Sequence, residues 1–216
     1  MPRRLTRKER QAHTRSCLMK SASKVFARHG LQQASIEEVA EDAGYTKGAF
    51  YANFKSKEEL FLAMLDERFA ERLEEIDRVI ESDAAPETQA RAAGADFIRH
   101  ISADPEWQRL FFEFAAYAAR NEDFREELIT RYRSIRDRLT ELYRKRTERL
   151  GVTSPVPLEK VSLMTFAMAN GFALEKLLEP DAVADDVYPL MLEIFFAGLR
   201  ALEQESQDVA PAGASA

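Results

Sequence analysis

Residues 15–65 read RSCLMKSASKVFARHGLQQASIEEVAEDAGYTKGAFYANFKSKEELFLAML. Two short helical patterns lie on either side of a turn centred on Gly44, and the second pattern is short, polar and aromatic. In a helix-turn-helix, the first helix supports the second, which enters the major groove of duplex DNA. The stretch therefore predicts a unit that binds duplex DNA.

Capping residues set the helix boundaries in this segment. Gly30 ends the first helix because glycine tolerates positive φ. Ser35 and Glu38 have the spacing of a capping box and open the second helix. Gly44 permits the turn that follows, and Thr46 is expected to cap the short third helix.

The composition of the whole chain favours an all-α fold. Ala, Leu, Glu and Arg are abundant, only 8 residues are glycine, and runs of β-branched residues are absent. Later prolines stand where helices can begin. We predict about nine helices, at roughly 14–29, 36–43, 46–54, 57–80, 87–103, 106–120, 122–150, 158–178 and 183–204.

The charge is divided unevenly along the chain. Residues 1–57 carry 12 Lys and Arg against 5 Asp and Glu, whereas the remainder carries 19 against 32, for a net charge of -6. A basic segment on an acidic body suggests that only the basic segment meets phosphate.

The third helix is expected to form the DNA-reading surface. Thr46, Lys47 and Ala49 should face the bases, since lysine can bind guanine and an alanine methyl can pack on thymine. Gly48 leaves room for a close approach. Contacts to phosphate are expected from Ser35, Tyr51, Asn53, Lys55 and the N-terminus of the helix that starts at Lys57. The third helix should be supported by a small hydrophobic core, which comprises Phe26, Ile36, Val39, Ala40, Phe50 and Phe54.

These motifs closely resemble the TetR family of bacterial transcriptional regulators. The resemblance is carried by Ala22 with Phe26, Gly30, Ser35, the turn at 39–44, the GAFYANF run at 48–54 and the KEEL run at 57–60. It implies a nine-helix homodimeric regulator in which the helix at 57–80 moves like a pendulum. The sequence departs from the family pattern at Tyr45 and Asn53, which leaves the operator preference open. Tyr45 either contacts the DNA backbone or packs against the first helix.

The last two predicted helices are apolar almost all round. Such helices are buried on more than one side, so we expect a second copy of the chain to cover them and form a four-helix bundle. The alternative is that both are core helices of a monomer. The expected interface comprises Val161, Phe166, Leu174, Leu177, Met191, Ile194, Phe195, Leu199 and Leu202.

Aromatic residues and methionines are concentrated in the middle of the chain, as in an apolar ligand cavity or an ordinary core. Glu113 is expected either beside a cationic ligand or in an ion pair with Arg109 or Arg136. The expected pocket comprises Trp107, Phe111, Glu113, Phe114, Tyr117, Tyr132, Thr165, Met168, Asn170 and Phe172.

Other classes of protein are disfavoured. Cys17 is the only cysteine and the three histidines lie far apart, so neither a metal site nor a cofactor is expected. No catalytic triad or Gly-rich phosphate loop is legible. Because the sequence shows neither a signal-peptide pattern nor a long apolar run, we expect a cytoplasmic protein that has no membrane partner.

The leading hypothesis is a homodimeric repressor that an unknown small molecule releases from a near-palindromic double-stranded operator. The alternatives are a DNA-binding regulator without a small-molecule inducer and an all-helical enzyme. The expected regions are a basic flexible arm at 1–12, a helix-turn-helix DNA-binding domain at 13–56, a helical ligand-binding and dimerisation domain at 57–204 and a disordered tail at 205–216.

Overall fold

The structure is a computed structural model that describes residues 6–81 and 86–209. Over these residues it contains nine α-helices and no strand, which confirms the all-α prediction. The helices are α1 Arg7–Gln33, α2 Ile36–Asp42, α3 Lys47–Tyr51, α4 Lys57–Glu81, α5 Pro86–Ala103, α6 Pro105–Ala118, α7 Glu122–Leu150, α8 Leu158–Leu178 and α9 Val187–Val209.

The first and last helices are longer than the sequence predicted. Helix α1 begins at Arg7 because Thr6 and Glu9 form a reciprocal capping box. Residues 7–12 are therefore helical, which corrects the expected flexible arm. Helix α9 reaches Val209, so the expected tail is helical over 205–209. Residues 1–5 and 210–216 lie outside the described residues.

Two glycines with positive φ shape the helix-turn-helix. Gly44 has φ 74° and turns the chain between α2 and α3, as predicted. Gly30 has φ 72° and ψ 163°, so that it breaks α1. One further turn, Leu31–Gln33, follows the break before the chain reaches α2.

The described chain divides into two compact units. The head unit comprises residues 6–70 and 106–131, and the body unit comprises 71–81, 86–105 and 132–209. This division differs from the boundary expected near residue 56. The head unit contains not only the helix-turn-helix but also the start of α4, all of α6 except Pro105 and the start of α7. Phe61 of α4 joins them through its ring, which lies 4.2 Å from the ring of Phe114 on α6.

The core of the helix-turn-helix is close to the predicted one. Phe26, Val39, Ala40, Phe50 and Phe54 are all buried, together with Leu18, Ala22 and Val25 of α1. Ile36 is only half-buried. Most of the hydrophobic core that was expected to support α3 is thus present.

The body unit is held by contacts between α5 and α9 and between α7 and α8. Phe97 on α5 and Tyr188 on α9 have ring centroids 4.8 Å apart. On α7, the Thr140 hydroxyl lies 2.7 Å from that of Ser162 on α8. Among the described residues, no helix is long and apolar enough to cross a membrane.

Candidate nucleic-acid interface

Helix α3 is a five-residue helix with one anchored side and one outward side. Thr46 caps it by accepting a hydrogen bond from the Ala49 amide at 3.2 Å. Phe50 is fully buried, whereas Thr46, Lys47 and Gly48 are exposed. The helix therefore presents the residues that were expected to face the bases. A Cβ at Gly48 would meet only the Thr46 hydroxyl, at 3.7 Å, so the fold itself leaves this position open.

The outward side of α3 carries an ion pair. The Lys47 ammonium donates to the carboxylate of Glu37 on α2, and it lies 5.9 Å from the centre of the Tyr51 ring. The hydrogen bond from Lys47 holds the pKa of Glu37 below its usual value, and the same bond raises the pKa of Lys47. Tyr51 is 50% exposed beside them. In the free protein, the predicted base-reading lysine is thus bound to an acidic neighbour.

Arg15 is a supporting residue that the sequence reasoning missed. Its guanidinium donates to the carbonyl of Asn53 at 3.1 Å and lies 4.1 Å from the centre of the Phe54 ring. Arg15 therefore caps the chain just after α3 from the side of α1. No local pattern announces this contact, because the two residues are 38 positions apart.

Two of the residues expected at the phosphate contacts have side chains that are bonded within the protein. The Lys57 ammonium donates to the carbonyls of Gln32 and Ala34, at 2.7 and 3.2 Å, while the contact expected from the N-terminus of its helix stays a prediction. Asn53 donates from its side chain to the Ala49 carbonyl at 2.8 Å. Its side-chain oxygen is buried and has no hydrogen-bond partner among the described residues.

The remaining expected contacts have different surroundings. The Ser35 hydroxyl is engaged in the predicted capping box with Glu38. Tyr45 and Ala49 are half-buried, while Lys55 is exposed. The Lys55 backbone amide donates to Glu59 of α4 at 2.6 Å. Their contacts with DNA stay predictions.

Half of the expected ligand-pocket residues belong to the head unit. Trp107, Phe111 and Phe114 are buried in its core, and the Trp107 ring stacks on Phe61 at 5.4 Å. Tyr117 packs against Phe124 at 5.5 Å. These contacts are ordinary core packing, which was the alternative interpretation.

Glu113 also differs from its expected role. Its carboxylate accepts a hydrogen bond from the Leu31 amide at 2.9 Å. It is therefore bound to the backbone just after the break in α1, rather than to Arg109 or Arg136.

The other half of the expected pocket lies in the body unit. Thr165 accepts a hydrogen bond from the Tyr143 hydroxyl at 3.0 Å, and Asn170 donates to the Phe166 carbonyl at 2.9 Å. The ring of Phe172 lies 5.0 Å from that of Tyr188. Tyr132 packs against Phe166, and Met168 is half-buried. These polar groups on α8 thus have partners within the chain.

Burial keeps the tyrosines of the body unit neutral. It raises the pKa of Tyr132 to about 12, and it also raises the pKa values of Tyr143 and Tyr188. Nearby, the Arg72 guanidinium donates to Glu75 at 2.9 Å and to the Ala93 carbonyl at 3.2 Å. The interior of this unit therefore combines packed aromatic side chains with a few paired polar groups.

The expected dimer residues fall into three groups. Val161 is only 2% exposed and belongs to the protomer core, so its expected place in an interface is wrong. Ile194 is 63% exposed, and Leu174 and Leu202 are exposed as well. The other expected residues are half-buried, namely Phe166, Leu177, Met191, Phe195 and Leu199.

The sequence reasoning missed several exposed apolar residues on the same helices. Helix α8 exposes Leu163 and Leu178, the latter to 67%, and α9 exposes Leu190. The sequence could not indicate which side of α8 faces outward, because this helix is apolar all round.

Comparisons with known proteins identify both parts of the chain. A family model described as bacterial regulatory proteins of the tetR family matches residues 18–64. A second, described as the C-terminal part of BetI-type transcriptional repressors, matches residues 86–201, which is more than half of the chain.

Individual relatives agree with these matches. The HTH-type transcriptional activator FasR of Mycolicibacterium smegmatis is 34% identical over 110 residues, which cover 51% of this chain and 48% of FasR. The chain thus spans about half the length of that relative. The HTH-type transcriptional regulator YfiR of Bacillus subtilis is 25% identical over 82% of this chain and 87% of YfiR.

The fold agrees with a solved structure as well. The transcriptional regulator FadR of Bacillus subtilis, solved in complex with stearoyl-CoA, superposes with a TM-score of 0.66. The match covers 87% of this chain and 97% of FadR at 15% sequence identity. From the two family matches, the exposed short helix of a helix-turn-helix and the all-α fold, the chain belongs to the TetR family of bacterial transcriptional regulators, which bind DNA.

Proposed function

We propose that this regulator acts as a homodimeric repressor that binds a near-palindromic operator and leaves it when a small molecule binds the body unit. The observation that carries the proposal is the pair of exposed apolar stripes on α8 and α9. The match of residues 86–201 to the C-terminal part of transcriptional repressors supports the direction of regulation.

Each stripe follows the repeat of a helix. On α8 it comprises Leu163, Ala167, Gly171, Leu174 and Leu178, and on α9 it comprises Val187, Leu190, Ile194, Gly198 and Leu202. Exposed apolar patches of this kind mark contact surfaces. The small residues within each stripe allow another helix to approach closely. We assign a second copy of the chain as the occupant, in a two-fold four-helix arrangement.

A two-fold dimer fixes the form of the operator. Two copies of α3 would enter successive major grooves on one side of the duplex, about 34–36 Å apart. The two half-sites would then be related by the same two-fold axis, and the operator would read as a near-palindrome. Lys47, Gly48 and Ala49 supply the base-reading surface in each half-site.

Release by a small molecule is supported by the body unit and by a structural neighbour. The interior of the body unit is rich in aromatic side chains, which suit an apolar ligand. FadR, which has a similar fold, was solved with stearoyl-CoA. A ligand needs to supply only about 1–3 kcal/mol of coupling to change operator affinity 5- to 150-fold. It must favour one arrangement of the dimer, since equal affinity for both changes nothing.

The dimer is tested by placing a charge in the α9 stripe. Ile194→Glu should convert the sedimentation coefficient from that of a dimer to that of a monomer and weaken operator binding, because a buried unpaired charge is strongly disfavoured. Leu150→Glu is the matched control, since Leu150 is also exposed but lies at the end of α7. A dimeric Ile194→Glu variant would contradict the proposal.

The operator and ligand are tested together by selecting bound duplexes from a random pool. Selected sequences should converge on two inverted half-sites, and a bound ligand should release the protein from them. Convergence on a single, unrepeated site would contradict the two-fold arrangement.

A further inference from the structure

We infer that Glu113 is a positioning residue for DNA recognition. Its carboxylate, on α6, fixes the junction that leads from α1 into α2, which comprises residues 30–34. Because α2 and α3 begin directly after this junction, Glu113 sets the direction in which the recognition helix projects. The inference goes beyond the proposed function, since it concerns a contact within the head unit and needs no ligand.

The first observation is a charge-assisted hydrogen bond. The Leu31 amide donates to Glu113 Oε1 at 2.9 Å, across 82 residues of sequence. Leu31 is fully buried and Glu113 is half-buried. Hydrogen bonds to charged groups are shorter and stronger than neutral ones, so this bond is a firm attachment between α6 and the backbone of α1.

The second observation is that a side chain at position 30 would press on the Glu113 carboxylate where it now lies. A Cβ at this position would lie 2.9 Å from Glu113 Oε1, 3.1 Å from Oε2 and 3.3 Å from Cδ. The positive φ of 72° independently disfavours other residues. Glycine at position 30 thus allows both the break in α1 and the close approach of the carboxylate.

The third observation is a complementary contact on the carbonyls of the same junction. The Lys57 ammonium, at the start of α4, donates to the carbonyls of Gln32 and Ala34. An anion from α6 therefore binds an amide of the junction while a cation from α4 binds two of its carbonyls. Together they hold the five residues at which α1 breaks and the chain turns toward α2.

Glu113 is held on a rigid support. Its neighbours on α6, Leu110 and Phe114, are buried, and the Phe114 ring packs against Phe61 of α4. The helix that carries the carboxylate is therefore anchored in the core of the head unit. Immediately after the junction, Ser35 caps α2, so a rotation at residues 30–34 would turn α2 and α3 together.

The experiment compares Glu113→Ala and Glu113→Gln with the wild-type chain on a selected operator. Each protein is also measured on operators with one base pair inserted or removed between the half-sites and on unrelated duplex DNA. The control is Glu106→Ala, because Glu106 is an exposed glutamate on the same helix. Thermal melting checks that each variant is folded.

A loosened junction should accept wrong half-site spacings. We expect Glu113→Ala to reduce the discrimination between correct and altered spacings about tenfold, while affinity for unrelated duplex is unchanged. Glu113→Gln keeps an oxygen that can accept the Leu31 N–H and should restore most of the discrimination. Unchanged discrimination in Glu113→Ala would overturn the inference, as would an equal loss of affinity for every duplex.

A second measurement needs neither DNA nor a dimer. Amide hydrogen exchange at Leu31 in the free protein should be at least tenfold faster in Glu113→Ala than in Glu113→Gln or Glu106→Ala. Equal exchange rates would overturn the inference. Because this readout does not use an operator, a failure of the proposed dimer or operator would leave it informative.

Discussion

At the residue scale, the pair formed by Glu37 and Lys47 lies on the surface that we expect to meet DNA. Both side chains are about half exposed, so their pairing contributes little to folding. If Lys47 binds a base or a phosphate, its bond to Glu37 competes with that contact. Glu37 is then an anion facing a polyanion, which weakens binding to any duplex.

We therefore expect Glu37→Gln to bind duplex DNA about two- to fivefold more tightly, since the lysine no longer leaves a partner and a repulsive charge is removed. Fluorescence anisotropy with a labelled duplex measures the effect. The matched control is Glu41→Gln, which removes an exposed charge from the same helix. If the two variants gain affinity equally, the effect is one of net charge alone and the role of Glu37 is wrong.

At the scale of elements, α5 and α9 approach each other closely at Gly94 and Pro189. A Cβ at Gly94 would lie 2.6 Å from Pro189 Cα and 2.9 Å from its nitrogen. These are backbone atoms, which cannot give way as a side chain can. On the same pair of helices, Arg91 donates to Glu193 at 2.6 Å.

Gly94→Ala should therefore push α9 away from α5 and lower the free energy of unfolding by about 1–3 kcal/mol. This loss should exceed the gain of about 1 kcal/mol that alanine normally brings to a helix interior. Urea unfolding followed by circular dichroism measures it. The control Ala92→Ser changes an exposed neighbour on α5 and should be nearly neutral, whereas a stabilised Gly94→Ala would contradict the close approach.

Local signals in the sequence predicted the helices well, because capping is a matter of a few adjacent residues. Ser35 with Glu38, Gly44 and Thr46 all act as expected. The box formed by Thr6 and Glu9 has the same spacing but was overlooked, since the basic segment around it was interpreted as a flexible arm. The start of α1 could therefore have been found from the sequence.

Contacts between distant residues could not be found in this way. Glu113 binds Leu31 and Arg15 binds Asn53, and no periodicity relates the members of either pair. The same holds for Lys57, because nothing in the sequence indicates that its ammonium binds the junction carbonyls of residues 32 and 34. The outward side of α8 was equally hidden, since all of its sides are apolar.

At the scale of the whole molecule, the separation of charge governs how the protein approaches DNA. Residues 1–57 carry the excess of positive charge, and the remainder carries the excess of negative charge. Phosphate contacts release counterions, so binding weakens with salt by a slope of about 0.9 per contact. The slope therefore measures how many contacts the protein makes with DNA phosphates.

Lys55→Ala should reduce this slope by about 1.8, because the proposed homodimer would lose the expected phosphate contact in each of its two copies. Affinity measured across a series of salt concentrations gives the slope. Lys160→Ala is the control, since Lys160 is exposed on α8 and should leave the slope unchanged. A reduction of only about 0.9 would indicate one bound copy, and no reduction would remove Lys55 from the interface.

The brevity of α3 has an evolutionary consequence. Its fold depends on Thr46, Phe50 and the support of Arg15, whereas a Cβ at Gly48 would touch only the Thr46 hydroxyl and Lys47 bonds only to the replaceable Glu37. Substitutions at Lys47 and Gly48 can therefore accumulate without unfolding the protein. A duplicated gene could acquire a new target in few steps, and the scaffold would be inherited intact.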